Sequence, residues 1–169
     1  MVHLYCGDGK GKTTAAMGLA LRFAGHGKQV VVAQFLKSGR SGERVALEHL
    51  PTVELLPLPE TMKFTFQMTE EEKAAERVRQ TELLRTAFQK GASAQLLVLD
   101  EVCAALSTGM VPLSEVLAGL DGLPPETEVV LTGRDPAPEL LERAHYVTEM
   151  VKRRHPYDSG ISARPCVEF

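Results

Sequence analysis

Near the start of the chain, Gly7, Gly9 and Gly11 alternate with Asp8 and Lys10 and lead straight into Lys12, Thr13 and Thr14. Glycines at this spacing let the backbone turn tightly enough for successive N–H groups to point inward at an anion. Lys12 adds a point charge for phosphate oxygens, and Thr13 offers a hydroxyl to a phosphate-bound Mg²⁺. The helix-forming run that follows, Thr13 to Gly27, presents its positive end to the same place. The usual pattern is G-x-x-x-x-G-K-[ST], and here Cys6 holds its first position.

Two further clusters repeat the logic. In LLVLDE, Leu96 to Glu101, a hydrophobic strand delivers Asp100 and Glu101 at its tip, an arrangement that holds Mg²⁺ directly or through water beside a phosphate loop. In LTGRD, Leu131 to Asp135, Arg134 stands just past a strand end, placed either to clamp phosphate oxygens or to pair with Asp135 on the surface. Gln34, Lys37 and Glu43 fall at or after another strand end, in a segment whose glycines and serines read as a mobile loop. They either line a pocket or are the ordinary polar residues of such a loop. Phe64 and Phe66 stand out in a chain with six Phe, three Tyr and no Trp. They either plug the core or form a flat apolar wall for a large planar ligand.

These residues need a scaffold that brings strand ends together. Val2–Cys6, Val30–Phe35, Val53–Leu58, Leu96–Asp100 and Val129–Thr132 read as strands, the apolar runs among them as buried on both faces. Helical patterns lie between them: Thr13–Gly27, a long helix opened by the capping box Thr69 to Glu72 and running to about Lys90, and shorter ones at Leu113–Leu120 and Ala137–Arg143. The apolar stripe of the long helix is expected at Ala75, Val78, Leu83, Leu84 and Ala87. Alternating strands and helices predict an α/β sheet whose chemistry sits at the strands' carboxyl ends.

Composition narrows the function classes. At 169 residues, 44% hydrophobic and 24% charged, a single domain over 1–169 is expected. A formal charge of −3 gives no broad basic surface for nucleic acid, and the one basic cluster, Lys152 to His155, reads equally well as a solvated strand end. Cys6, Cys103 and Cys166 form no paired spacing, so neither a disulfide framework nor a zinc site is expected. With no signal peptide and no apolar run near the ~18 residues of a membrane span, the reading is a cytoplasmic protein that engages neither membrane nor nucleic acid.

Read in order, GDGKGKTTAA, GHGKQVVVAQFLK, GERVALE, KFTF, LVLDE, LTGRD and YDSGISA carry a resemblance across nearly the whole chain. The sequence resembles the ATP:corrinoid adenosyltransferases of the CobA/BtuR type. That resemblance implies a P-loop NTPase-like (RecA-like) α/β fold, a mostly parallel sheet flanked by helices. It implies transfer of the 5′-deoxyadenosyl group of ATP to cobalt(I) of a corrinoid, with release of triphosphate and no phosphoryl transfer. The triphosphate would lie in the loop in the direction opposite to most phosphate-loop proteins. By position, Gly7 to Thr14 and Arg134 would hold ATP, and Thr13 with Glu101 would hold Mg²⁺ or Mn²⁺, ordered by Asp100. Phe64 and Phe66 would fill the space beneath the corrin and displace its lower axial ligand, with Gln34, Lys37 and Glu43 on the same side. The second aromatic is tryptophan in the best-known members. Some relatives also carry a covering stretch ahead of the first strand, which here begins at residue two. A reducing flavoprotein such as flavodoxin and a homodimer are the partners the resemblance implies, and no side chain is expected to act as nucleophile or base.

Overall fold

The computed structural model describes residues 1–39, 41–164 and 166–167. Six strands, β1 (Val2–Cys6), β2 (Val30–Gln34), β3 (Val53–Leu55), β4 (Leu96–Asp100), β5 (Glu128–Thr132) and β6 (Tyr146–Glu149), form one sheet in the order β3-β2-β4-β5-β1-β6. All neighbours are parallel. This is the expected α/β, P-loop NTPase-like arrangement.

The helices are α1 (Lys12–Gly25), α2 (Gly42–Leu47), α3 (Glu70–Gly91), α4 (Val102–Ser107), α5 (Leu113–Gly122) and α6 (Pro138–Arg143). Period-2 alternation along the central strands sorts their side chains onto two faces. Leu96, Val98 and Val130 pack with Ala16, Met17 and Ala20 of α1 and Leu47 of α2. Leu97, Leu99, Val129 and Leu131 pack with Leu84 and Ala87 of α3, Val102 and Cys103 of α4, Val116 of α5 and Leu140 of α6. With both faces covered, β2 and β4 are buried along their whole length, each large aliphatic side chain contributing about 1.5–3 kcal/mol.

The structure departs from the sequence reading in several places. The third strand stops at Leu55: Leu56 still donates to Val32 O at 2.9 Å, but Pro57 and Pro59 have no N–H to continue a ladder. The capping box is present, Thr69 Oγ1 accepting from Glu72 N at 3.2 Å and Glu72 returning a carboxylate to Thr69 N at 2.9 Å. The buried face of α3 runs through Gln80, Leu84, Ala87 and Gly91, whereas Val78 is 72% exposed and Ala75 also faces solvent. Finally, the segment read as a mobile loop contains α2, and an edge strand, β6, follows α6.

Candidate active site

Strand β1 delivers the chain into the glycine loop, and the loop rests on the backbone that follows β6. Gly9 N donates to Met150 O at 2.6 Å, and a Cβ on Gly7 or Gly9 would come within 2.5 Å of that same oxygen. Gly7 and Gly11 hold φ of 94° and 117°, in the left-handed region where a side chain is strained. Only glycine fits these turns. Asp8 is fully exposed and accepts from Lys152 N at 2.8 Å, a bond that lowers the pKa of its carboxyl. Cys6 is buried among apolar neighbours, so the departure from the usual loop pattern is a packing residue.

Lys12 opens α1 and bends back over the loop, its ammonium donating to Gly7 O at 2.7 Å and Gly9 O at 2.8 Å. It is only 8% exposed. Burial pulls its pKa down, and the nearby Glu101 carboxylate works to keep it charged. The charge is thus held at the centre of a loop whose glycine turns and helix end favour an anion.

Asp100 is the hub beneath the loop. Fully buried, it accepts from Thr13 Oγ1 (2.9 Å) and Thr132 Oγ1 (2.7 Å) on Oδ1, and from Gln34 Nε2 (3.0 Å) and Lys37 Nζ (2.6 Å) on Oδ2. Desolvation alone would raise its pKa, but the Lys37 charge and these hydrogen bonds prevail and hold it below the usual aspartate range. Lys37 Nζ also lies 3.5 Å from Thr13 Oγ1. Gln34 and Lys37, expected on the corrinoid side, therefore meet the phosphate loop through Asp100.

Glu101 sits in the left-handed region at φ 62°, its N–H donating to Thr132 Oγ1 at 2.8 Å. Burial, then the Asp100 charge, raise its carboxyl's pKa, while Lys37, Lys12 and Arg134 oppose the shift. A further turn after β5 is fixed by Gly133, at φ 145°, where a Cβ would lie 2.6 Å from that of Cys103. It brings Arg134 to a cleft of about 220 Å³ walled by Asp8 to Thr14 and Glu101. A larger cleft, about 520 Å³, opens beside it along Lys10, Thr13, Met17, Lys37 and Glu43. Glu43 thus borders the site on α2.

Phe64 and Phe66 do not plug the core. They flank Thr65 at a one-turn 3₁₀ segment (Thr65–Gln67), 67% and 79% exposed, with rings stacked at 5.4 Å and 11°. Neither lines the two clefts.

Sequence reasoning missed Thr132, Arg44 and the Met150–Lys152 backbone. Thr132 lies inside the LTGRD run already singled out, so the strand-end rule contained it. Arg44 has a signal only once Gln34 is known to be buried, and main-chain contacts from Met150 leave no trace in residue types. Cys6 and Cys103 are buried free thiols, the latter's pKa pushed up to about 12 mainly by burial, and Cys166 is an exposed free thiol.

A metal here would find few protein oxygens. Among the described residues no group of three metal-ligating acids, histidines or cysteines occurs, and Asp100 already accepts four hydrogen bonds. The Thr13 hydroxyl and the Glu101 carboxylate remain. Two oxygens suit Mg²⁺, which keeps waters and takes the rest of its octahedron from substrate phosphates.

Residues 1–169 match the sequence profile of the family described as ATP:corrinoid adenosyltransferase BtuR/CobO/CobP. A corrinoid adenosyltransferase of Escherichia coli (strain K12) is 33% identical over 170 residues, covering 100% of this chain and 85% of the relative. One from Pseudomonas aeruginosa is 33% identical over 168 residues, covering 98% and 82%. One from Sinorhizobium sp is 35% identical over 179 residues, covering 100% and 80%. With the family match running the whole length of the chain and relatives of 33–35% identity covered to four fifths or more, the chain belongs to the ATP:corrinoid adenosyltransferase family.

Proposed function

We propose that this protein transfers the 5′-deoxyadenosyl group of ATP to cobalt(I) of a corrinoid, forming an adenosylated corrinoid of cobalamin biosynthesis or salvage and releasing triphosphate. The observation that carries the reading is a preformed phosphate loop in a chain that matches the adenosyltransferase family from end to end.

The reaction is a displacement at C5′. Cobalt(I) donates its electron pair to that carbon as the C5′–O bond breaks, and the bond's electrons leave with the triphosphate. Cobalt(I) is itself a strong nucleophile, so no side chain has to take a proton. The protein's task is to place the two ends of ATP and to stabilise the leaving charge. Lys12, the loop N–H groups and Arg134 grip the triphosphate. Thr13 and Glu101 would hold Mg²⁺ or Mn²⁺, which when bound supplies further positive charge for the leaving group. Phe64 and Phe66 offer flat apolar faces beneath the corrin ring, where they exclude the lower axial ligand and water. Gln34, Lys37 and Glu43 would serve the corrinoid side, the first two also meeting the phosphate loop through Asp100.

In a reducing cytoplasm a flavoprotein such as flavodoxin would supply the electron that takes cobalt(II) to cobalt(I), and the protein would work as a homodimer. Among the described residues no helix is long and apolar enough to cross a membrane. The test is incubation of the protein with ATP, a strong reductant and a corrinoid. Triphosphate together with a light-sensitive alkylcobalt product is expected. ADP and phosphate, formed without dependence on corrinoid, would overturn the assignment in favour of a hydrolase or kinase.

A further inference from the structure

Helix α2 turns Arg44 inward, leaving it 7% exposed. Its Nη1 donates to Gln34 Oε1 and its Nη2 to Leu56 O, both at 3.0 Å. Burial presses against the guanidinium charge, which Glu48 and Glu43 partly support. Gln34, 1% exposed at the end of β2, passes its Nε2 to Asp100 Oδ2 at 3.0 Å. A guanidinium only donates and a carboxylate only accepts, so one orientation of the amide satisfies both neighbours. Arg44 thereby decides which end of Gln34 faces Asp100. Without its donors, Oε1 loses its partner in a buried place, and the amide is free to turn a carbonyl toward the carboxylate.

Asp100 uses its other oxygen to receive the Thr13 hydroxyl proton at 2.9 Å. With that proton committed inward and Lys37 Nζ 3.5 Å from the oxygen, one lone pair of the hydroxyl is left for a cation on the cleft side. We propose that Arg44 is a positioning residue for the phosphate end of the site, acting through Gln34 and Asp100 to fix the orientation of the Thr13 hydroxyl. The inference rests on the adenosyltransferase reading for its ligand, ATP with Mg²⁺. Partners one step removed from a ligating group commonly change metal affinity about 10–100-fold when removed. An arginine that only fastened α2 to the sheet through Leu56 O would lower stability and leave metal dependence alone.

The experiment compares ATP affinity, by calorimetry without corrinoid, in saturating Mg²⁺ and in EDTA for wild type, Arg44→Met, Gln34→Leu and the double variant, with thermal melts alongside. Arg44→Met is expected to weaken Mg²⁺-dependent binding about tenfold while changing binding in EDTA less than about twofold. Gln34→Leu should do the same, and the double variant should be no weaker than the weaker single, because both act along one path. Arg44→Lys, which keeps a donor, should recover part of the loss. Equal losses with and without Mg²⁺, additive losses in the double variant, or wild-type affinity in Arg44→Met would each overturn the proposal. If Arg44→Met does not fold, Arg44→Lys and Gln34→Leu carry the comparison, with a metal-selective loss supporting the proposal and a metal-independent one overturning it. Wild-type protein that binds Mg²⁺ and ATP yet makes no alkylcobalt product defeats the proposed function without touching the Arg44 result. An Arg44→Met protein with wild-type metal dependence defeats only the present inference.

Discussion

The phosphate loop and the Phe64–Phe66 pair are built on opposite terms. At the phosphate end, Lys12, Thr13, Gln34, Arg44 and Asp100 each have hydrogen-bond partners within the protein, and Asp100 has four. At the aromatic end, Phe64 and Phe66 touch each other at a single 3₁₀ turn and leave most of their surface in water. The contrast fits what each would handle in the proposed reaction. Buried polar groups left unpaired cost about 1–3 kcal/mol each, so a charge-binding site has to be internally satisfied before its ligand comes. Apolar surface carries no such demand. Its burial is deferred, and the free energy becomes available when a flat apolar partner covers the rings.

The comparison can be broken from either side. The largest effect belongs to Lys12→Ala, which removes the charge held over the loop. ATP affinity should fall by at least about 100-fold, as for other preorganised donors, and normal turnover would contradict the loop's role. Asp100→Ala comes next, because it strands four donors around a buried hub. A loss of about 3 kcal/mol in denaturant unfolding is expected, and a loss under about 0.5 kcal/mol, typical of surface sites, would show that the hub is not structural. At the other end, Phe66→Ala should leave stability within about 0.5 kcal/mol of wild type. Reaction from cobalt(II) should nevertheless slow about tenfold, the worth of one aromatic stacking contact, and far more than reaction from pre-reduced cobalt(I). Equal losses from both would erase the distinction between the two ends.

The smallest effect concerns Glu101. Its raised pKa means the folded protein prefers the protonated acid, so this group's contribution is full below the ordinary glutamate range and is lost as pH rises through the raised value. Asp100 runs the other way, its lowered pKa adding stability above the ordinary aspartate range that is lost as pH falls. At neutral pH, Glu101→Gln should therefore raise the melting temperature of the ligand-free protein slightly while weakening Mg²⁺-dependent ATP binding. A lower melting temperature would show that the carboxylate is already stabilised by its neighbours.

Much of the phosphate end was legible because its chemistry is local in sequence. The loop, Asp100, Glu101 and Arg134 each lie at or just past a strand's end, and a hydrophobic run that ends in a polar residue marks such a position. Gln34 and Lys37 were legible as strand-end residues but not as Asp100's partners, since that contact spans 66 and 63 residues. Helix α2 escaped because the glycines and serines leading into it read as a loop, and its N-cap, Ser41, makes no side-chain cap. Strand β6 escaped because all four of its residues are exposed, so it lacks the continuous apolar run that marked its neighbours. Exposure of Phe64 and Phe66 was illegible for a plainer reason. Phenylalanine is usually buried, and nothing in MKFTFQM says otherwise.

The strand order has a consequence for how the molecule comes into being. The strand that carries the phosphate loop pairs with Glu128–Thr132 on one side and Tyr146–Glu149 on the other, and the loop itself leans on Met150. During synthesis the loop emerges before its supports, which follow it by roughly 120 to 140 residues at about 5–20 residues per second. Until then the nascent chain has no seat for nucleotide. Ligand can secure the finished protein, but it cannot guide the early stages of its folding.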